Sequence, residues 1–159
     1  MQINEAEEGN ARRKVYKDQI MKHLLFFSLV LLLVACQGQT PDSAGQQVSA
    51  SGGTFTNVNP AELNTMLASK DFVFVNVHIP FEGDIAGTDL SIPFDQITEP
   101  ANLAQLPSDK NTKIVLYCRS GRMSEIAASA LVALGYTDIW NLDGGMLRWE
   151  QQGFEIIGN

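Results

Sequence analysis

One stretch constrains this chain more than any other: Lys113 to Gly135, which reads KIVLYCRSGRMSEIAASALVALG. Ile114 to Tyr117 is a short apolar run rich in strand-forming residues, as expected of a buried strand. Cys118 follows it, then Arg119-Ser120-Gly121-Arg122-Met123. Ser124 and Glu125 open an Ala/Leu-rich helical segment that stops at Gly135, a residue suited to follow a helix C-terminus. A cysteine therefore sits where a strand ends and a helix begins. The helix N-terminus directs unpaired N–H groups and a partial positive charge back at that sulfur. Gly121 lets the loop curl, and curled backbone amides make a nest for an anion. The pattern points to a nucleophilic or sulfur-carrying cysteine in an anion cradle. A buried structural cysteine would not require two arginines, two serines and a glycine within six residues.

Charge sharpens this reading. The net charge is −7, which argues against nucleic acid as a partner. From Cys36 onward there are six Lys/Arg against fourteen Asp/Glu. Two of the six, Arg119 and Arg122, fall inside the cysteine loop. An acidic domain that gathers positive charge at one loop suggests a local anion site. The two His and the one usable Cys lie too far apart in sequence to suggest a metal site, and no cofactor is implied.

The N-terminal third has a different character. Residues 1–20 are polar and read as an upstream extension, because Met21-Lys22 makes a conventional start. Leu24 to Val34 is apolar except for Ser28. It is short for a membrane span, which takes about 20 residues, and suits the apolar part of a secretory signal over 21–35. The run ends Leu33-Val34-Ala35-Cys36, which resembles the lipobox of bacterial lipoproteins. The resemblance implies lipidation of Cys36, cleavage before it, and an exported domain tethered to a bacterial membrane on its periplasmic or outer face. The alternative is an uncleaved, marginal anchor. Residues 36–53 are Gly/Ser/Gln-rich and read as a flexible tether.

The folded domain is expected over 54–159. Thr54–Val58 reads as a strand. Asn59-Pro60-Ala61-Glu62 reads as a capped helix start, with Leu63, Met66 and Leu67 on the core face. Phe72–Val77 is expected as a central strand. An irregular loop over 78–93, a short helix over 101–106, a strand over 136–142, a turn at Asp143-Gly144-Gly145 and a helix over 146–152 complete the chain. Alternating strands and helices imply an α/β domain with a mostly parallel sheet flanked by helices in three layers. Ligands bind such folds at the C-terminal edge of the strands, where Cys118 would lie.

YCRSGRMS, then Gly135-Tyr136, WNLDGGMLRW and Gly153, resemble a rhodanese domain in order and spacing over about residues 54–156. The resemblance implies sulfur transfer: a cysteine takes sulfane sulfur from a donor such as thiosulfate, holds it as a persulfide, and passes it to cyanide or a thiol. By this match Cys118 is the catalytic residue. The substrate-binding loop is Arg119, Ser120, Gly121, Arg122, Met123 and Ser124, with backbone N–H groups of Arg119 to Ser124 on the terminal sulfur. Arg119 and Arg122 would attract the anionic donor.

The chain departs from the family pattern at three places. Met123 stands where Arg is usual, Asn76-Val77-His78 replaces Asp-Val-Arg, and Gly83-Asp84-Ile85 replaces Gly-His-Ile. Two roles are open to His78: an acid/base or anion contact, or packing of the loop. Asp84 is expected to turn away from the anion site or to pair with a cation. A related phosphatase family places Arg six residues after its Cys, but here that residue is Ser124, which argues against phosphate-ester chemistry. With Cys36 assigned to lipid, no second thiol is left for thioredoxin-like exchange. The expected protein is thus a monomeric, membrane-tethered sulfurtransferase. The alternative is a slow or non-enzymatic rhodanese-like sulfur-carrier or interaction module in the cell envelope.

Overall fold

The computed structural model describes residues 45–158. The expected upstream extension, the signal segment, Cys36 and the tether as far as residue 44 lie outside the described residues.

Eight strands and four helices follow one another in this region. They are β1 (Gln46–Ala50), β2 (Gly53–Val58), α1 (Pro60–Leu67), β3 (Val73–Asn76), β4 (Asp84–Ile85), β5 (Leu90–Ser91), α2 (Pro100–Leu103), β6 (Ile114–Tyr117), α3 (Arg122–Ala133), β7 (Ile139–Leu142), α4 (Gly145–Gln151) and β8 (Ile156–Ile157). Six strands form one sheet in the order β1-β2-β7-β6-β3-β5. Every pairing is parallel except β1 with β2. Strands β4 and β8 pair antiparallel as a separate ribbon.

Side-chain alternation along the strands builds two apolar layers. On β6, Ile114 and Leu116 face one side with Ala127, Ala128, Leu131 and Val132 of α3. Val115 and Tyr117 face the other side with Leu63 of α1 and Met146 and Trp149 of α4. The expected three-layer α/β architecture with a mostly parallel sheet is the one observed.

Local signals explain the helix ends. Asn59 caps α1: its Oδ1 accepts the Glu62 N–H at 3.0 Å, and the Glu62 carboxylate accepts the Asn59 N–H at 2.9 Å, a reciprocal capping box. Helix α3 ends with the Gly135 N–H on the Val132 carbonyl at 2.9 Å and the Tyr136 N–H on the Leu131 carbonyl at 3.1 Å. This Schellman pattern requires the positive φ of +89° at Gly135. It also carries Tyr136 into the core beside Leu131.

Several boundaries differ from expectation. The tether reading over 36–53 fails at its end, because Gln46–Ala50 is strand β1 and the folded region starts before residue 54. Its polar residues are tolerated because β1 is an edge strand with one solvated face. Val48 and Ala50 pack on the core, Gln47 Nε2 donates to Thr56 Oγ1 at 2.6 Å, and Ser51-Gly52 supplies the two-residue turn. The loop over 78–93 contains β4 and β5, two-residue strands too short to show a period. Helix α3 starts at Arg122 rather than Ser124. Gly121, at φ +93°, is its N-cap, so the chain turns straight from loop into helix.

Candidate active site

Loops following β2, β3, β6 and β7 gather at one edge of the sheet, and Cys118 lies there directly after β6. Its side chain is 1% exposed. The sulfur accepts the Gly121 N–H at 3.2 Å and the Ser124 hydroxyl at 3.4 Å. Ser124 Oγ also reaches the Gly121 carbonyl at 2.9 Å, which closes the loop on itself. Arg122, Met123 and Ser124 form the first turn of α3. Their N–H groups have no partner within a helix and are the natural place for an anion.

The backbone of the loop is held from the other side. The Met146 N–H binds the Cys118 carbonyl and the Leu147 N–H binds the Arg119 carbonyl, both at 2.9 Å. The first turn of α4 thus draws two carbonyls outward. This requires close approach. A Cβ at Gly145 would stand 2.2 Å from the Cys118 carbonyl oxygen and 2.7 Å from that of Arg119, and the residue has φ +57°. The Gly-Gly turn read from sequence is therefore a seat for the cysteine loop as well as a chain reversal.

The other loop residues separate by exposure. Gly121 and Ser124 are buried, Arg119, Ser120 and Arg122 are exposed, and Met123 packs against the core layer beneath α3. The two arginines differ in their partners. Arg119 pairs with Glu82, whereas Arg122 has no ion pair among the described residues. Arg119 and Glu82 also form one wall of an open cleft of about 430 Å³, shared with Phe81, Met146 and Ile156.

His78 lies beside Glu82. Its side chain is 7% exposed, and Nε2 is 3.5 Å from Glu82 Oε2. Neither ring nitrogen has a hydrogen-bond partner. Packing in the loop thus describes most of its surface, and the Glu82 carboxylate is the charged group at its edge. Of the two outcomes expected for Asp84, turning away from the anion site or pairing with a cation, the second is not found among the described residues. Asp84 Oδ1 accepts Asn76 Nδ2 at 2.8 Å and the Tyr117 hydroxyl at 2.9 Å. Asn76 Nδ2 also binds the Gly83 carbonyl at 3.0 Å, and Asn76 Oδ1 accepts the His78 N–H at 3.0 Å. The Tyr117 hydroxyl further accepts the Ile85 N–H at 3.0 Å and lies 2.7 Å from Thr88 Oγ1. Burial pushes the Tyr117 phenol well above its ordinary range; the Thr88 and Ile85 hydrogen bonds oppose that shift and Asp84 adds to it.

Sequence reasoning missed Glu82 as part of the site. Its one signal was the spacing of four residues from His78. It also missed the tie between Tyr117 and the Asp84–Thr88 segment, because 29 residues separate Thr88 from Tyr117 and no local pattern links them. Among the described residues no group of three or more His, Cys, Asp or Glu is placed to hold a metal ion.

Comparison with known proteins agrees with this geometry. Residues 60–152 match the model of the rhodanese-like domain. A probable adenylyltransferase/sulfurtransferase MoeZ of Mycobacterium tuberculosis is 36% identical over 118 residues, which cover 72% of this chain and 28% of that protein. A tRNA uridine(34) hydroxylase of Erwinia tasmaniensis is 31% identical over 99 residues, 60% of this chain and 28% of that protein. The chain thus spans little more than a quarter of the length of these curated relatives. Among solved structures, a rhodanese-like domain protein from Staphylococcus aureus is 33% identical with a TM-score of 0.52, covering 64% of this chain and 98% of that one. A rhodanese-related protein from Thermoplasma volcanium is 28% identical with a TM-score of 0.53, covering 64% and 96%. With a matching family model over most of the described region and the cysteine at the strand-to-helix junction, the chain belongs to the rhodanese-like domain family.

Proposed function

We propose that the chain is a sulfurtransferase that carries sulfane sulfur on Cys118, from a small anionic donor such as thiosulfate to cyanide or a thiol. One observation carries the reading. The Cys118 sulfur sits under the first turn of α3, receives the Gly121 N–H at 3.2 Å, and faces amides that a helix leaves unpaired. In the first half-reaction the sulfur's electron pair attacks the outer sulfur of thiosulfate. The S–S bond of the donor breaks, and sulfite leaves with the electron pair. The persulfide then gives its terminal sulfur to the acceptor: the new S–S bond breaks, and Cys118 regains its electron pair. No net oxidation occurs. The turn amides and Arg122 would stabilise the negative charge on donor and persulfide. The mycobacterial relative's name, a probable adenylyltransferase/sulfurtransferase, supports this chemistry.

A slower sulfur-carrier or docking role is the second reading. It is favoured by the pairing of Arg119 with Glu82, which lowers the positive charge offered to a donor. Intact mass of the purified chain, before and after thiosulfate and again after cyanide, tests both. Catalysis predicts a gain of one sulfur atom on Cys118, loss of it to cyanide as thiocyanate, and repeated cycles. A single slow loading would favour the carrier, and no loading from thiosulfate or polysulfide would exclude both. Export and lipid anchoring at Cys36 belong to the same proposal and rest on the Leu24–Cys36 segment. Incorporation of labelled fatty acid in a bacterial host, lost in Cys36→Ser, is the expected result.

A further inference from the structure

The Glu82 carboxylate touches nothing that reacts, yet it binds the arginine next to the nucleophile. Its Oε2 pairs with Arg119 Nη1 and lies 3.5 Å from His78 Nε2. Both ring nitrogens of His78 are buried without a hydrogen bond. One carboxylate oxygen thus stands between an exposed guanidinium and an unsatisfied imidazole. Among the described residues Glu82 is the charged group that contacts the ring, with Arg119 beyond it; Asp84, six residues along the same segment, is engaged by Asn76 and Tyr117.

We infer that Glu82 is a positioning residue that sets donor selectivity by charge. While bound to Arg119 it cancels one of the loop's two cations and disfavours dianionic donors relative to monoanionic ones. A proton on His78 gives Nε2 a hydrogen to donate and offers Glu82 a second cation. Glu82 then binds Arg119 less tightly, and the guanidinium becomes available to a dianion. This rests on the sulfur-transfer reading and adds to it which donor charge the resting site prefers.

Two donors with matched chemistry separate the effect. Thiosulfate is a dianion that releases sulfite, and benzenethiosulfonate is a monoanion that releases a sulfinate; both hand one sulfane sulfur to the same cysteine. Loading is followed by mass in the full chain, and each donor's half-saturating concentration and limiting rate are measured. Glu82→Gln keeps the shape and removes the charge. Because a Coulomb energy scales with ligand charge, the half-saturating concentration should fall about tenfold for thiosulfate and about threefold for the thiosulfonate, with limiting rates unchanged. In the unaltered chain the preference for thiosulfate should rise as pH falls, because acid favours a proton on the imidazole. It should be flat in Glu82→Gln. In His78→Asn it should be flat at the low value the unaltered chain shows at high pH. Equal effects on both donors, or an effect confined to limiting rates, would overturn the inference. An unaltered chain that takes sulfur from neither donor would instead overturn the sulfur-transfer reading, and this inference with it.

Discussion

Two segments leave neighbouring parallel strands at the same sheet edge, and they are held in different ways. The segment after β6 is organised by its own backbone. Gly121 turns the chain, the first turn of α3 supplies amides, and Ser124 bonds within the loop. The segment after β3 is organised by side chains that reach across the sheet. Asn76 holds Gly83 and Asp84, and Tyr117 of β6 holds Asp84, Ile85 and Thr88. Backbone-built loops depend on a few glycines and tolerate side-chain change. Side-chain-built loops depend on matched partners, so single substitutions fail where paired ones succeed.

Variants sharpen this contrast, the largest expected effect first. Cys118→Ser should lower sulfur loading at least about a thousandfold, because the nucleophile itself is lost. Its urea unfolding should stay cooperative. Wild-type loading in this variant would break the assignment of the site.

Gly145→Ala attacks the backbone-built loop from outside. A methyl group meeting the Cys118 carbonyl at 2.2 Å must push α4 off the loop, at a cost of about 3 kcal/mol. Both urea stability and the loading rate should fall. Unchanged loading in a folded variant would mean that the α4 amides are not needed to shape the cradle.

Asn76→Asp tests the side-chain-built segment. The new carboxylate cannot donate to Gly83 or Asp84 and repels the latter, which should cost about 2 kcal/mol. Adding Asp84→His, the residue usual in the family, should recover part of that loss. A double-mutant cycle in urea with no coupling would show that the two positions act independently.

Tyr117→Phe should cost about 1–2 kcal/mol by leaving the buried Ile85 N–H without its acceptor, seen as faster hydrogen exchange at that amide. It should also change the alkaline stability profile. The folded phenol holds its proton above the ordinary tyrosine range, so the unfolded chain loses that proton first as pH rises. The stability tied to the neutral phenol is complete below about pH 10 and is lost as pH climbs towards the folded value. Urea midpoints at pH 9 and pH 11 should therefore differ less in Tyr117→Phe than in the unaltered chain.

The geometry of the candidate site was largely legible because its determinants are contiguous. Strand, cysteine, glycine and helix fall within about twenty residues, and helix geometry converts their order directly into amides facing a sulfur. The Asn59–Glu62 cap and the Gly135 stop were legible for the same reason: each motif is satisfied within a few residues. The edge strand β1 was hidden because Gln46 and Gln47 read as tether until an antiparallel partner is supplied. The role of Asp84 was hidden because carboxylates near an anion site suggest repulsion, while its real partners lie on β3 and β6.

Sequence alone determined the alternation of strand and helix, the placement of Cys118 at a strand's C-terminal end, and the glycine turn into a helix N-terminus after it. These follow from local propensities and from hydrogen bonds closed within a few residues. Only the tertiary structure decided which groups surround that turn: Glu82 on Arg119, the α4 amides on the loop carbonyls, and Tyr117 on the opposite segment. Those contacts join residues far apart in the chain, and they exist only once the parallel sheet brings the ends of its strands to a common edge.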